Sequence, residues 1–241
     1  MVFYGDLVME SKSFRINNIP SVIWGEQSEK VVIAVHGNMS NKTDIPIKIL
    51  AKNAVLKGYQ VLSFDLPEHG DRKSESTLCK VQYCVKDLGD IMKYARSKWK
   101  NISLFANSIG AYFSLLAYNN EKLNKALFLS PVVNMLCIIE SMMKCFNVSE
   151  ERLKKEQTIP TPIGQNLYWD YYCYVKEHPI DSWNIPTYIL YGSKDNMCER
   201  DSVFNFAEKF PCKLEIVEGA EHYFHTSEQL EALNRWLVSN M

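Results

Sequence analysis

The residues best suited to chemistry lie in Leu104-Phe105-Ala106-Asn107-Ser108-Ile109-Gly110-Ala111. Ser108 stands between a β-rich apolar run and a segment of helical spacing. Small residues sit two before it (Ala106) and two after it (Gly110). A serine pushed out on such a turn takes strained dihedrals, and bulky neighbours at those positions would collide. The helix start behind it adds a partial positive charge and free backbone amides. The chemistry this favours is nucleophilic attack, with a developing anion held at the helix end. Serine is also a favoured N-cap, so the same residue could simply close the helix. An activated serine needs a base, and the base needs an acid to hold its tautomer.

The elements that must position these groups follow from the pattern of apolar residues. Val31–Val35, Tyr59–Phe64, Ile102–Ala106, Ala126–Ser130, Thr187–Tyr191 and Lys213–Val217 are short β-rich runs, the kind buried on both faces of a parallel sheet. Helical spacing fills the intervals at 44–57, 81–98, 109–119, 200–209 and 227–239. Residues 2–9 and 12–17 alternate loosely, with a turn signal at Asn17-Asn18-Ile19-Pro20, and read as antiparallel strands. Strands separated by helices predict a mostly parallel, doubly wound α/β sheet of about eight strands. Residues 134–183 break the rhythm with an apolar helix (Met135 to Phe146), a charged stretch (Glu150 to Glu156), a Pro-rich bend and an aromatic helix (Leu167 to Tyr174). Roughly 50 residues between two strands far exceeds the usual connection of about 2–6. The segment reads as a cap inserted between core segments 1–133 and 184–241. In an open parallel sheet the ligand crevice lies at the carboxyl ends of the strands, which is where such an insertion sits.

Composition narrows the function. The chain has 241 residues, 27 Lys plus Arg and 28 Asp plus Glu, for a formal charge of −1. Binders of nucleic acid or anionic membranes need an excess or cluster of positive charge, so neither is expected. No run of apolar residues is long enough to span a membrane. The N-terminal MVFYGDLVMESKSF lacks the basic-then-apolar order of a signal peptide. The seven cysteines form an odd, scattered set without a CxxC pair, which suggests reduced thiols, no zinc site and a cytoplasmic address.

The motifs together resemble the α/β-hydrolase superfamily. Ala106-Asn107-Ser108-Ile109-Gly110 resembles its GxSxG nucleophile elbow, with alanine for the first glycine. Tyr191-Gly192-Ser193-Lys194-Asp195 resembles the turn that presents the acid, and Gly219-Ala220-Glu221-His222 the loop that presents the base. The family order Ser, Asp, His is kept, so the resemblance implies a Ser108–Asp195–His222 triad. His36-Gly37-Asn38 resembles the HGx oxyanion loop. The implied donors are the amides of Asn38 and Ile109, with Met39 in the first role if the loop is offset. Asp65-Leu66-Pro67-Glu68-His69-Gly70 resembles the D-x-x-G-H-G turn, with Glu68 where glycine is common; Asp65 and His69 are read as pins of a tight loop. Rivals for the base and acid are His225, Glu199 and Asp201, the last two more ordinary as first-turn helix acids. His178 is read as structural or solvent-facing, with a contact to substrate as the alternative.

The resemblance implies hydrolysis through an acyl-enzyme, with no metal and no organic cofactor. The expected substrate is a small to medium carboxylic ester with an apolar acyl group, and the single cap is similar to that of cinnamoyl-type esterases. Acyl transfer, thioester or peptide cleavage would use the same machinery, and a non-catalytic binding protein of this fold is the remaining alternative. Met39, Trp169 and Tyr172 are the expected substrate contacts.

Overall fold

The computed structural model describes residues 10–241, so the strand expected at 2–9 lies outside the described residues. Ten strands and eight α-helices follow in chain order among them. β1 (Ser11–Ile16) and β2 (Ile19–Trp24) form a hairpin. Its two loop residues, Asn17 and Asn18, both have positive φ (45° and 69°), which suits the twist of a two-residue hairpin turn. Thus the turn signal is shorter than the sequence suggested. Ile19 and Pro20 already belong to β2, a strand the sequence reading missed because proline usually marks a break. Here Pro20 stands next to the strand's first residue, where a missing N–H is tolerated, and its carbonyl accepts from Asp65.

The other strands of the main sheet are β3 (Lys30–Val35), β4 (Gln60–Phe64), β5 (Asn101–Asn107), β6 (Ala126–Leu129), β9 (Thr187–Gly192) and β10 (Cys212–Val217). The eight run in the order β1-β2-β4-β3-β5-β6-β9-β10, and every pairing from β4 to β10 is parallel. Successive side chains of a strand point to opposite faces. In β3, Val31, Ile33 and Val35 enter one core, and Val32 and Ala34 the other. α1 (Ile45–Leu56) and α8 (Ser227–Asn240) cover the second face through Ile47, Leu50, Leu233 and Trp236. α2 (Val81–Lys98), α3 (Ile109–Ala117) and α7 (Arg200–Lys209) cover the first. Both faces are buried, which explains why the central strands read as unbroken apolar runs. The edge strand β10 exposes Lys213 and Glu215, charges that discourage pairing with another sheet.

Between β6 and β9 the chain forms α4 (Met135–Cys145), α5 (Glu150–Glu156), a two-stranded ribbon of β7 (Thr158–Pro160) and β8 (Asn166–Tyr168), and α6 (Trp169–Glu177). The aromatic helix therefore begins at Trp169, two residues later than the sequence suggested, because Leu167 pairs with Ile159 in the ribbon. No helix among the described residues is long and apolar enough to cross a membrane.

Candidate active site

Ser108 joins β5 to α3 with φ 52° and ψ −121°, a sparsely populated backbone conformation for a side-chain-bearing residue. It occupies the N-cap position, yet its side chain makes no cap hydrogen bond. The simple capping role is therefore not the one the hydroxyl takes. The strain is held by the neighbours. Ser108 N–H donates to Leu129 O at 3.0 Å, and its carbonyl accepts from Ala111 and Val132. Gly110 lets the turn press onto β3, since a Cβ there would lie 2.5 Å from His36 O and 2.8 Å from Val35 O.

The structure brings the hydroxyl, the imidazole and the carboxylate together. Ser108 Oγ lies 2.8 Å from His222 Nε2, and His222 Nδ1 lies 2.8 Å from Asp195 Oδ2. A carboxylate can only accept, so Nδ1 carries the proton and Nε2 accepts from the serine O–H. The Asp195 and His222 side chains are almost wholly buried, at 0% and 3% exposed, so water competes little for these bonds. Asp195 Oδ1 accepts from the amides of Met197 and Cys198, both at 2.9 Å, which fixes the carboxylate. The acid and base loops meet because β9 and β10 are parallel neighbours that end in register at Gly192 and Val217. Gly192 is required there: a Cβ would fall 2.4 Å from Ala220 O. Tyr191 Oη donates to Cys198 O at 2.8 Å and braces the acid loop.

Asp195, Cys198 and His222 also place ligand-type atoms within 4.8 Å of one another. Their chemistry suits a proton relay better than a metal. Burial, aided by the Asp195 charge, pushes the Cys198 thiol far above its ordinary range, and metals bind the thiolate.

The loop after β3 approaches the serine closely, with Gly37 leaving only 3.1 Å between a built Cβ and Ser108 Cβ. His36 is fully buried, and Nδ1–H donates to Gly37 O at 2.7 Å while Nε2 accepts from Leu66 N–H at 3.0 Å. Burial drives its pKa down to about 4, so it stands neutral as a tie between two loops. The Met39 amide donates to His69 Nε2 at 3.1 Å. That bond occupies the Met39 N–H. Ile109 opens α3, where the first amides have no intrahelical acceptor. Asp65 is wholly buried and accepts from the amides of Lys42 and Asp71 and from Lys42 Nζ. Gly70 is obligatory beside it, because a Cβ would overlap the carboxylate. Glu68 has φ 63°, which explains why glycine is common at that position of the turn.

A cavity of about 610 Å³ opens over Ser108 and His222. α4 supplies an apolar wall of Met135, Ile138, Ile139 and Met142, and Asn38, Met39 and Ile109 also line the cavity. No Lys or Arg is among the described residues lining it. Tyr168 and Tyr171 face this space, whereas the expected Trp169 and Tyr172 do not line it. Tyr172 is buried and donates to Glu150 Oε2 at 3.0 Å, and Trp169 packs against Tyr172. Residues three apart share a helix face, so the pair 168/171 and the pair 169/172 define neighbouring faces. Both faces are aromatic, and the sequence alone offered no reason to choose between them.

The remaining candidates lie elsewhere. His225 is exposed and bonds Tyr223 O. His178 stacks on Tyr174 with ring centroids 4.0 Å apart. Glu199 and Asp201 open α7, and Glu199 accepts from the Cys137 thiol.

Sheet order, the serine turn and the interleaved helices define the α/β-hydrolase fold, and solved structures agree. Est1E from Butyrivibrio proteoclasticus, with ferulic acid bound, superposes with TM-score 0.75 over 95% of this chain and 96% of its own at 18% identity. Alpha/beta hydrolase domain-containing protein 10 from mouse gives TM-score 0.76 over 94% and 96% at 13% identity. The Pyrococcus furiosus esterase Pf2001 gives 0.64 over 95% and 92% at 21% identity. No protein-family model matches the sequence, and no curated protein matches it.

Proposed function

We propose that this chain is a serine esterase that cleaves small to medium carboxylic esters through an acyl-enzyme. The carrying observation is the pair of 2.8 Å contacts that link Ser108, His222 and Asp195 beneath a cavity. His222 Nε2 takes the Ser108 proton as Oγ attacks the ester carbonyl. The oxygen becomes an anion beside the amides of Asn38 and Ile109 at the positive end of α3. His222 then gives its proton to the leaving alcohol, and Asp195 stabilises the imidazolium in between. Water, deprotonated by the same imidazole, releases the acid. No metal or organic cofactor is needed for these steps.

Residues 134–183 act as the cap in this reading. Their methionines and isoleucines favour an apolar acyl or aryl group, and the Tyr168 and Tyr171 rings suit an aromatic one. A cavity with no Lys or Arg among its described lining residues favours a neutral ester over a phosphorylated or polyanionic one. The ferulic acid held by the Est1E structure supports a substrate of this size.

The test is turnover of a panel of p-nitrophenyl and aryl-acid methyl esters. The wild type should hydrolyse them, and Ser108→Ala should lose on the order of 10⁴-fold or more in kcat. A Ser108→Ala protein with undiminished turnover would remove the nucleophile, and a folded wild type inert on the whole panel would favour a binding role.

A further inference from the structure

The loop ahead of α2 carries a feature that the ester chemistry does not use. Cys79 lines the cavity, one residue before the α2 N-cap at Lys80, and Cys84 is buried in the helix's first turns. Their sulfurs are 3.7 Å apart. All seven cysteines are free thiols, so this is a reduced pair in contact. The surroundings of Cys79 are polar and built: its amide donates to Glu68 Oε2 at 2.6 Å, and its thiol lies against the His69 imidazole.

We propose that Cys79 and Cys84 form a reversible intramolecular disulfide, with a hydroperoxide that enters the cavity as the oxidant. The Cys79 thiolate attacks one peroxide oxygen, the O–O bond breaks, and hydroxide (or alkoxide) leaves. Cys79 becomes a sulfenic acid, and the peroxide is reduced. The Cys84 sulfur then attacks Cys79 Sγ, the S–O bond breaks, and the Cys84 proton leaves with the oxygen as water. A dithiol reverses the bridge by exchange.

The electrostatics assign the two roles. The hydrogen bond with Cys84 holds the Cys79 thiol below its ordinary range, burial opposes this, and His69 adds to the lowering. Burial, then the hydrogen bond with Cys79 and its charge, push Cys84 well above it. Cys79 is thus the attacking thiolate on the cavity side, and Cys84 is the protected resolving thiol behind it. Bond formation must draw the sulfurs from 3.7 Å to about 2.05 Å. A bridged Cys79 Sγ no longer has the thiol or thiolate that interacts with His69, whose Nε2 accepts from the Met39 amide and lies 3.1 Å from Asn38 Oδ1. Oxidation at this pair therefore loosens the loop proposed to hold the oxyanion.

Trypsin provides a direct readout, because Lys80 separates the two cysteines. Reduced full-length protein is treated with stoichiometric hydrogen peroxide, blocked with iodoacetamide, digested and mapped by mass spectrometry. The expected product is peptide 74–80 joined to peptide 81–86, two hydrogens lighter than their sum and lost after dithiothreitol. Cys84→Ser should stop the sequence at a Cys79 sulfenic acid, trapped by dimedone. Ester turnover of the oxidised wild type should fall several-fold and recover with dithiothreitol, while Cys79→Ser stays unaffected by peroxide. The proposal is overturned if peroxide leaves both thiols free for alkylation, or if dimedone marks the exposed Cys145 and not Cys79. The linked peptide is scored without any ester assay, so its outcome is separate from that of the esterase reading.

Discussion

His36 makes the fold of the site sensitive to acid, and the size of the effect can be worked out. It is wholly buried, ties Gly37 O to Leu66 N–H, and has its pKa lowered to about 4 by burial. In the unfolded chain an imidazole titrates near its ordinary value of about 6.5. The native pKa is depressed, so the unfolded state binds the proton more readily. Stability is full above the unfolded pKa and is lost as pH falls from about 6.5 toward about 4. Between pH 7 and pH 5 the linkage relation gives a loss of about 2 kcal/mol from this residue. With a urea m-value of about 3 kcal/mol/M, the midpoint should shift by about 0.6 M. His69 works in the opposite sense. Burial disfavours its charge, but Cys79, Pro67 O and Glu68 outweigh that and raise its pKa. Its contribution is present at low pH and fades as pH rises through the native value. The assay is therefore a comparison of urea midpoints at pH 7 and pH 5 for the wild type and His36→Gln, in which the His69 contribution is common to both. The wild type should lose about 2 kcal/mol more than the variant over this range. Equal losses in the two proteins would refute the assignment of His36 as a buried neutral tie.

Other perturbations follow from the same contacts. Gly192→Ala places a Cβ 2.4 Å from Ala220 O and should shift the His222 loop, lowering kcat by on the order of 10²-fold while far-UV circular dichroism stays native. Asp65→Ala leaves Lys42, whose side chain is 11% exposed, with Asp71 as its remaining ion-pair partner and strips the Lys42 and Asp71 amides of their acceptor; urea unfolding should report a loss of about 2–3 kcal/mol. Tyr171→Ala should raise KM for aromatic esters several-fold and Tyr172→Ala should not, because Tyr171 lines the cavity and Tyr172 does not; the reverse pattern in steady-state kinetics would show that the cavity wall is misassigned.

The parallel core was legible because each strand is buried on two faces and written as a run such as Val31–Val35 or Ile102–Ala106. Helix ends were marked by residues that act locally, such as Gly58 after α1, whereas the Thr226 cap of α8 emerged only in the structure. What failed to show was set by pairing between distant segments. The first residues of β2, Ile19 and Pro20, looked like part of a turn until β1 and β4 supplied the strand's partners, and the late start of the aromatic helix reflects Leu167 pairing with Ile159. At the candidate site, Ser108 stood out by its small neighbours at a strand-to-helix turn, and Asp195 and His222 were reached only through the resemblance of their turns to family loops; the structure brings the three side chains within hydrogen-bond distance. The face of α6 that meets the cavity was not readable, since Tyr168, Trp169, Tyr171 and Tyr172 offer aromatic character on both sides. The grip of His69 on the Met39 amide and the contact between Cys79 and Cys84 were also hidden. The first joins residues 30 apart in the chain. The second is a CxxxxC spacing that suggests nothing until a loop folds onto a helix.

The central claim is that the Ser108 hydroxyl is activated by His222 and Asp195. The most direct measurement is reaction of the folded protein with a fluorophosphonate probe, followed by digestion and mapping of the adduct. A single adduct on Ser108, lost in His222→Gln, is the predicted result. A native, stably folded protein that stays unlabelled, or carries the phosphonate on another residue, would contradict it.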